Sequence, residues 1–355
     1  MWKEVYKEHL CGVCKSQGDS SKRGRFRLLC MFWVVLLFAS KGLLGSSLVW
    51  EAATPEGSNY AQAVESLLQE YESAVGRELK PGSLGKAGLK VNTRSGSGLS
   101  TPKILLRALI ASLERRGFGR KDILIVDRDS YNLRQAGILP SLAEPDLSFE
   151  GCPVLALDRG DYYDEDWYYD SPLPPAMRYY NSNHSDLAEA EGVARRSFLP
   201  LPLLFEVDFW INLPVGCDDP ALGVDGALVN MTLWNVSNSR RFLVNQATAS
   251  AAVAEIAAIP ELVNKAVLHF MPMDSYQFIG GPFFNSLYTH REEVLRMSAD
   301  PVALDRLLYD AINERRRLAG FPEISSIPQQ LPFATSLGLG AYERSAIEQR
   351  VVRLK

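Results

Sequence analysis

Apolar positions along the chain follow two kinds of spacing. Helical spacing, with apolar side chains returning every three or four residues, predicts helices over 64–75, 105–113, 249–259 and 304–312. Short apolar runs bounded by polar residues predict strands at 88–92, 122–127, 153–158, 207–213 and 266–271. Because helices and strands alternate, we expect an α/β fold: a mostly parallel sheet with flanking helices, in a single large domain.

The clearest unit of this pattern begins at residue 88. A predicted strand precedes Thr101 and Pro102, which resemble an N-cap with proline at the first helical position. The helix that follows leads into the buried run 122–127, so the unit is strand, helix, strand and predicts parallel pairing. Asp300 and Pro301 give the same start signal for the last predicted helix.

Residues 1–50 have the pattern of a targeting segment. A basic cluster precedes the uncharged run 28–39, and small residues follow at Gly45, Ser46 and Ser47. A spanning helix needs about 20 apolar residues, which this run reaches only by including Lys41. We therefore expect an exported, periplasmic or envelope-associated protein with a signal peptide cleaved between about 45 and 54. An uncleaved anchor, or a buried core helix, is the alternative, and membrane contact is expected only here.

Composition narrows the class of partner. The 355 residues carry a formal net charge of −4, so the basic field on which non-specific nucleic-acid binding depends is absent and no nucleic-acid partner is expected. Five cysteines are too few for a disulfide scaffold. Cys11 and Cys14 lack the second ligand pair that a structural zinc site needs.

Acidic and aromatic residues alternate between 158 and 170. This stretch lacks the spacing and central glycine of a calcium-binding loop. We expect a solvated insertion loop over about 158–190, with a calcium site or a surface for a cationic partner as alternatives. Residues 51–87 are expected to form an N-terminal helix and linker.

Four segments occur in a fixed order in the rest of the chain. They are GLKVNTRSGSGLSTP at 88–102, DFWINLPVGCDDPALGVDGALVNMTLWNVSNSRRF at 208–242, MDSYQFIGGP at 273–282 and SADPVALDRLL at 298–308. In this order they resemble the bacterial family named domain of unknown function 362, over about 88–350. Members are often exported, and some carry ferredoxin-type iron–sulfur domains. Since no such cysteine array occurs in this chain, the resemblance implies a version without a cluster.

The chain departs from the family at three polar positions. The family typically has a lysine and a histidine after its "IN-P" strand and a lysine before the asparagine of its "GAL-N" segment. Gly216, Asp218 and Val229 stand at these positions. Glycine and valine can neither bind an anion nor move a proton, so the resemblance implies altered or lost chemistry.

The polar residues that remain follow or end predicted strands, where open α/β sheets place ligands. The sequence therefore predicts a ligand site formed by Lys90, Asn92, Asn230 and Asp274. For each residue the alternative is a turn or capping role, which Asp and Asn also favour.

Asp218 and Asp219 are candidate metal ligands. Proline and glycine flank them, which predicts a turn on which both carboxylates could point into one site. Carboxylates with asparagine oxygens suit a hard divalent cation, so we expect a neutral or cationic ligand, such as a metal held with Asn230. Two carboxylates facing solvent are the alternative.

The sequence leaves two functions open. The first is an exported binding protein or enzyme with a strand-end cleft for a small ligand, and it requires the candidate side chains to converge. The second is a catalytically silent relative kept as a binding or assembly module. Because no Ser-His-Asp order, phosphate-binding loop or H-E-x-x-H motif is present, the sequence assigns no reaction and no cofactor beyond a possible divalent metal.

Overall fold

The computed structural model describes residues 47–54, 60–141, 147–171 and 195–354. The strands in these residues are Ser47–Ala53 (β1), Ala87–Val91 (β2), Ile123–Asp127 (β3), Ser148–Phe149 (β4), Cys152–Ala156 (β5), Tyr168–Asp170 (β6), Arg196–Phe198 (β7), Phe209–Leu213 (β8), Cys217–Asp219 (β9), Gly223–Asp225 (β10), Ala266–Pro272 (β11), Tyr276–Gln277 (β12), Thr289–His290 (β13), Val294–Ser298 (β14) and Ile347–Val352 (β15). The helices are Tyr60–Val75 (α1), Lys103–Arg115 (α2), Ser130–Gln135 (α3), Ala227–Met231 (α4), Gln246–Ala257 (α5), Pro260–Val263 (α6), Pro301–Leu318 (α7) and Gln330–Ser336 (α8). The predicted α/β class is confirmed.

Nine of the described strands form one mixed, mostly parallel sheet in the order β15-β1-β14-β11-β8-β2-β3-β5-β4. Strands β11, β8, β2, β3 and β5 run parallel to one another. From β2 the chain adds β3 and β5 on one side, then β8 and β11 on the other. The order therefore reverses between β2 and β8, and open α/β sheets bind ligands outside the carboxyl ends of the strands at such a point.

Each face of the sheet packs against its own helices. Leu89 and Ile125 belong to a buried cluster with residues of α1 and α2. Val126 and Trp210 belong to a second cluster with residues of α4, α5 and α8. Because side chains alternate along a strand, Lys90 lies on the second face, where it is fully buried.

The helix ends show which capping predictions hold. Asp300 caps α7, accepting hydrogen bonds at Oδ1 from Val302 N (2.8 Å) and Ala303 N (2.9 Å), as predicted. The prediction that Thr101 caps α2 is wrong. Pro102 is the N-cap, and Thr101 Oγ1 instead accepts from Asn92 N and donates to Leu213 O, both at 2.8 Å. Thr101 thus joins the ends of β2 and β8.

The predicted boundary of the N-terminal segment at residue 50 lies too late. Ser47–Ala53 form β1, in which Val49 is fully buried and Trp50 is nearly so. Strand β1 lies between β14 and β15, so residues 47–50 are part of the sheet. Residues 1–46, with the predicted signal or anchor, lie outside the described residues. In the part of the chain that is described, no helix has the length and apolar character needed to cross a membrane.

The acidic and aromatic stretch is only partly solvated. Its acidic side chains are mostly exposed, but Tyr169 is buried and the Tyr163 hydroxyl donates to Asn235 O at 3.1 Å. Strands β6 and β7 pair at its end. The prediction of a solvated loop is therefore wrong for the aromatic residues, while positions 172–190 lie outside the described residues.

Candidate functional site

A row of buried polar side chains crosses the centre of the sheet. Strand register places Lys90 of β2 beside Asn212 of β8, and Asn212 beside His269 of β11. All three are at most 1% exposed. Asn212 Nδ2 donates to Ala227 O at 2.8 Å and lies 3.0 Å from His269 Nδ1. Sequence reasoning missed Asn212 because it stands inside the apolar run of β8.

The Lys90 ammonium group contacts three protein oxygens. Its Nζ donates to Val91 O (2.7 Å), Asp127 Oδ1 (2.8 Å) and Asn230 Oδ1 (3.0 Å). Burial lowers the pKa of Lys90, although the neighbouring Asp127 charge favours the protonated form. An ammonium has three N–H donors, so all of them are used within the protein.

Asp127 is a site residue that the candidate set omitted, although it ends a predicted strand. Its Oδ2 accepts from the backbone N (2.9 Å) and the hydroxyl (2.6 Å) of Thr93, and its Oδ1 accepts from Arg128 N (2.8 Å). Asp127 therefore fixes the first residues of the two loops that leave β2 and β3.

Helix α4 carries Asn230 to Lys90. Asn230 Nδ2 also donates to Asn212 Oδ1 at 2.7 Å. The start of α4 is held by the buried Asp305 of α7, which accepts from Ala227 N and Leu228 N. A Cβ on Gly226 would collide with Asp305 Oδ1, so glycine is required there. Burial raises the pKa of Asp305 to about 7.

Two arginines lie against one indole ring above this row. The guanidinium carbon of Arg94 lies 3.4 Å from the Trp234 ring centroid, and that of Arg128 lies 5.3 Å from it. Arg94 follows β2, Arg128 follows β3, and both side chains are partly exposed. Burial lowers the pKa of Arg128, although Tyr163 and the Asp127 charge act in the opposite direction, and the charges of Arg94 and Arg240 lower it further. Because guanidinium groups stay protonated in proteins, this end of the sheet holds two fixed positive charges beside the Lys90–Asp127 pair.

Asp225 partly balances that charge. Its Oδ2 accepts from Arg94 Nη1 (2.7 Å) and Trp234 Nε1 (2.8 Å), whereas its buried Oδ1 has no hydrogen-bond partner among the described residues. Burial raises the pKa of Asp225 to about 6, against the opposing effect of Arg94.

The expected turn at Asp218 and Asp219 is wrong, because both lie on β9 and point to different partners. Asp218 accepts from Gly280 N (3.1 Å), Gly281 N (2.8 Å) and Arg316 Nη2 (2.8 Å). Asp219 Oδ1 accepts from the amides of residues 221 and 222, and its Oδ2 lies 3.6 Å from Arg94. Across the described ranges, no three His, Cys, Asp or Glu side chains are grouped as a metal site requires.

The other two candidates have separate positions. Asn92 lies at the end of β2, where its Oδ1 accepts from Arg94 N at 3.1 Å. Asp274 is near Tyr60 of α1 and Arg291, and burial raises its pKa. The structure thus brings Lys90 and Asn230 into contact and places Asn92 in the adjoining loop, but Asp274 contacts a different part of the protein.

Two surface cavities lie at the opposite edge, where the parallel strands begin. One, of about 540 Å³, is lined by Glu65, Glu72 and Arg116, and the other, of about 310 Å³, by Asp208 and Phe209. Arg116 forms ion pairs with both glutamates, at 3.0 and 2.7 Å. The charges of Glu65, Glu72 and Arg116 in this first cavity therefore already have partners within the protein.

At the ends of β2 and β3 the protein thus places two guanidinium groups against one indole ring, above a buried lysine–aspartate pair. This arrangement can attract an anion by charge and by N–H donors. Comparison with protein-family models, with curated proteins and with solved structures finds no match to this chain.

Proposed function

We propose that this chain is an exported member of the domain of unknown function 362 family that binds a small anionic ligand. The site would lie where the strand order reverses, at the ends of β2, β3 and β8, within one large domain. Arg94 and Arg128 would contact the anion, and Lys90, Asp127 and Asn230 would hold the loops that carry them. No nucleic-acid partner is proposed, and the N-terminal segment alone would reach the membrane.

The observation that carries this proposal is the environment of Arg128. Its Nη1 donates to Leu233 O (3.1 Å) and to Ser239 Oγ, and among the described residues no carboxylate lies within ion-pair distance. A partly buried cation normally acquires a charged partner, because desolvating an unpaired charge is unfavourable. An anionic ligand would supply that partner.

The expected preference for a neutral or cationic ligand rested on Asp218 and Asp219. Arg316 and two backbone amides neutralise Asp218. Asp219 accepts a hydrogen bond from a backbone amide of the turn that follows it, and it lies near Arg94. Arg94 pairs with Asp225 and lies near Asp219, so Arg128 is the guanidinium at this site that has no carboxylate partner among the described residues. The favoured ligand charge at Arg128 is therefore negative.

Calorimetric titration of the full chain with inorganic phosphate, sulfate and acetate tests the proposal. Arg128→Gln should weaken anion binding by about tenfold or more, the loss of one charge-assisted contact. Arg353→Gln is the matched control, because Arg353 is exposed near the C-terminus. Absence of millimolar binding for all three anions, or equal binding by both variants, would overturn the proposal.

A silent binding or assembly module is the second candidate, and one observation favours it. Every donor of the Lys90 ammonium is used within the protein, as expected of a structural lysine. This alternative predicts that Arg128→Gln leaves anion titrations flat and raises the free energy of unfolding, because an unpaired charge is removed.

A further inference from the structure

An exposed apolar segment lies beside the proposed anion site. Phe283 is 76% exposed, Phe284 41% and Leu287 80%, within a stretch of five residues after β12. Single exposed apolar residues are ordinary, but three large ones in so short a segment form a patch of the kind that marks binding surfaces.

The fold holds this segment in place. Gln277 of β12 is fully buried, and its Nε2 donates to Phe283 O at 2.9 Å while its Oε1 accepts from Asn285 N at 2.6 Å. Both ends of the amide are therefore used to fix the backbone of residues 283–285. The buried Gln277 side chain therefore fixes the backbone that carries the exposed aromatic rings.

The same segment contacts the loop that carries Arg94. Phe284 N donates to Ser95 O at 3.3 Å, and the Phe284 ring packs so closely on Gly98 that a Cβ there would overlap it. Ser95 directly follows Arg94, so the apolar segment contacts the loop that carries the guanidinium group. Glycine at position 98 is what permits this approach.

A carboxylate just before this segment is already neutralised. Asp218 accepts from the amides of Gly280 and Gly281, immediately before the patch, and pairs with Arg316 at 2.8 Å. Asp218 is thus held in an ion pair of its own, while Arg94, in the loop that Phe284 contacts, pairs with Asp225.

We infer that the ligand is an anionic amphiphile. Its charged head binds Arg94 and Arg128, and its hydrocarbon chain lies on Phe283, Phe284 and Leu287. This inference rests on the proposed function and adds the class of ligand. The ligand is a single amphiphile molecule, because the apolar segment contacts the loop that carries Arg94.

Titration of the full chain with octyl phosphate, below its micelle concentration, tests this inference against inorganic phosphate. One buried methylene tightens binding by about fourfold, so partial burial of the octyl chain should give more than about tenfold tighter binding. In the Phe283→Ser, Leu287→Ser double variant, octyl phosphate should bind no more tightly than phosphate, and phosphate affinity should be unchanged. Val351→Ser is the control, because Val351 is 79% exposed on β15.

Each contrary result has a distinct meaning. Equal affinity for octyl phosphate and phosphate overturns the inference and leaves the proposed anion site intact. Binding of neither overturns the proposed function, and the inference with it. A gain that persists in the double variant places the tail elsewhere and overturns the inference. A fourth result would be that the full chain binds phosphatidylglycerol vesicles, that the double variant does not, and that octyl phosphate binds no more tightly than phosphate. This result would assign the apolar segment to a bilayer and would also overturn the inference.

Discussion

Lys90 and Asp127 form an ion pair of 2.8 Å between neighbouring strands, with Lys90 fully buried. Asp127 also accepts two hydrogen bonds from Thr93, so the pair joins the ends of β2 and β3. The loop that carries Arg94 follows β2, and the loop that carries Arg128 follows β3. The pair therefore links the interior of the sheet to the proposed anion site.

Replacing Lys90 with methionine should destabilise the protein strongly. The change leaves the Asp127 carboxylate buried without its cation, which costs about 3–5 kcal/mol. Urea unfolding of the full chain measures the loss, with Lys121→Met as the control because Lys121 is exposed. A loss similar to that of the control would show that the ion pair is not needed for folding.

Buried carboxylates should make the protein less stable as pH rises from about 4 to about 7. Burial raises the pKa of Asp305 to about 7 and that of Asp225 to about 6. The folded chain then binds more protons than the unfolded chain in this window, so the free energy of unfolding falls as pH increases. This stabilisation is complete below the unfolded pKa of about 4 and is lost as pH passes the folded value.

Urea unfolding at about pH 5 and about pH 8 measures the effect, and Asp305→Asn should show the smaller difference because it removes one titrating group. Asparagine keeps an oxygen that can accept from the amides at the start of α4. The arginine partners of Glu65 lower its pKa to about 2 despite burial, so Glu65 is already ionised in the folded chain throughout this window. An equal fall in wild type and variant would contradict the assignment.

Asp218→Asn should reduce stability and leave metal titrations unchanged. The substitution removes the charge that pairs with Arg316 and weakens the hydrogen bonds from Gly280 and Gly281. We expect a loss of about 1–3 kcal/mol, typical of a hydrogen-bonded charge. Calorimetry with calcium, magnesium and manganese should give no heat that depends on Asp218 or Asp219. Metal binding that the variant abolishes would restore the metal hypothesis.

Cleavage of the proposed signal peptide should leave Ser47 in the mature chain. Ser47 Oγ donates to Asp300, and β1 is the sheet partner of β15, so a chain that starts at residue 54 loses a strand between two others. Circular dichroism and urea unfolding of two chains, 47–355 and 54–355, check this prediction. We expect the chain 47–355 to fold and the chain 54–355 not to fold. N-terminal sequencing that finds processing between 48 and 54 would contradict it.

The sequence pattern predicts which segments form helices and strands better than it predicts where those helices and strands begin and end. The helix predicted over 249–259 begins earlier, at Gln246, because Asn245 caps it by accepting from Thr248 N at 2.9 Å. Thr101 has the sequence signature of a cap, yet its hydroxyl bonds to Asn92 and Leu213 of neighbouring strands. Capping signatures are local, whereas these partners lie far apart in the chain.

The candidate site shows the same limit. Lys90 and Asn230 were predicted as site residues and lie 3.0 Å apart, but Asn212 was hidden inside an apolar run. Asp218 and Asp219 have the composition of a metal site. Strand alternation on β9 sends their side chains to different partners, which no spacing of two adjacent residues could reveal.

The sequence by itself determined the α/β class, the parallel strand–helix–strand unit and the polar residues at strand ends, because periodicity and turn chemistry are local properties. Tertiary structure alone decided that β1 belongs to the sheet, that the order reverses between β2 and β8, and that Arg94 and Arg128 share the Trp234 ring. Each of these depends on contacts between residues distant in the chain, and the free energy of those contacts comes from burial and charge pairing that only the assembled sheet creates.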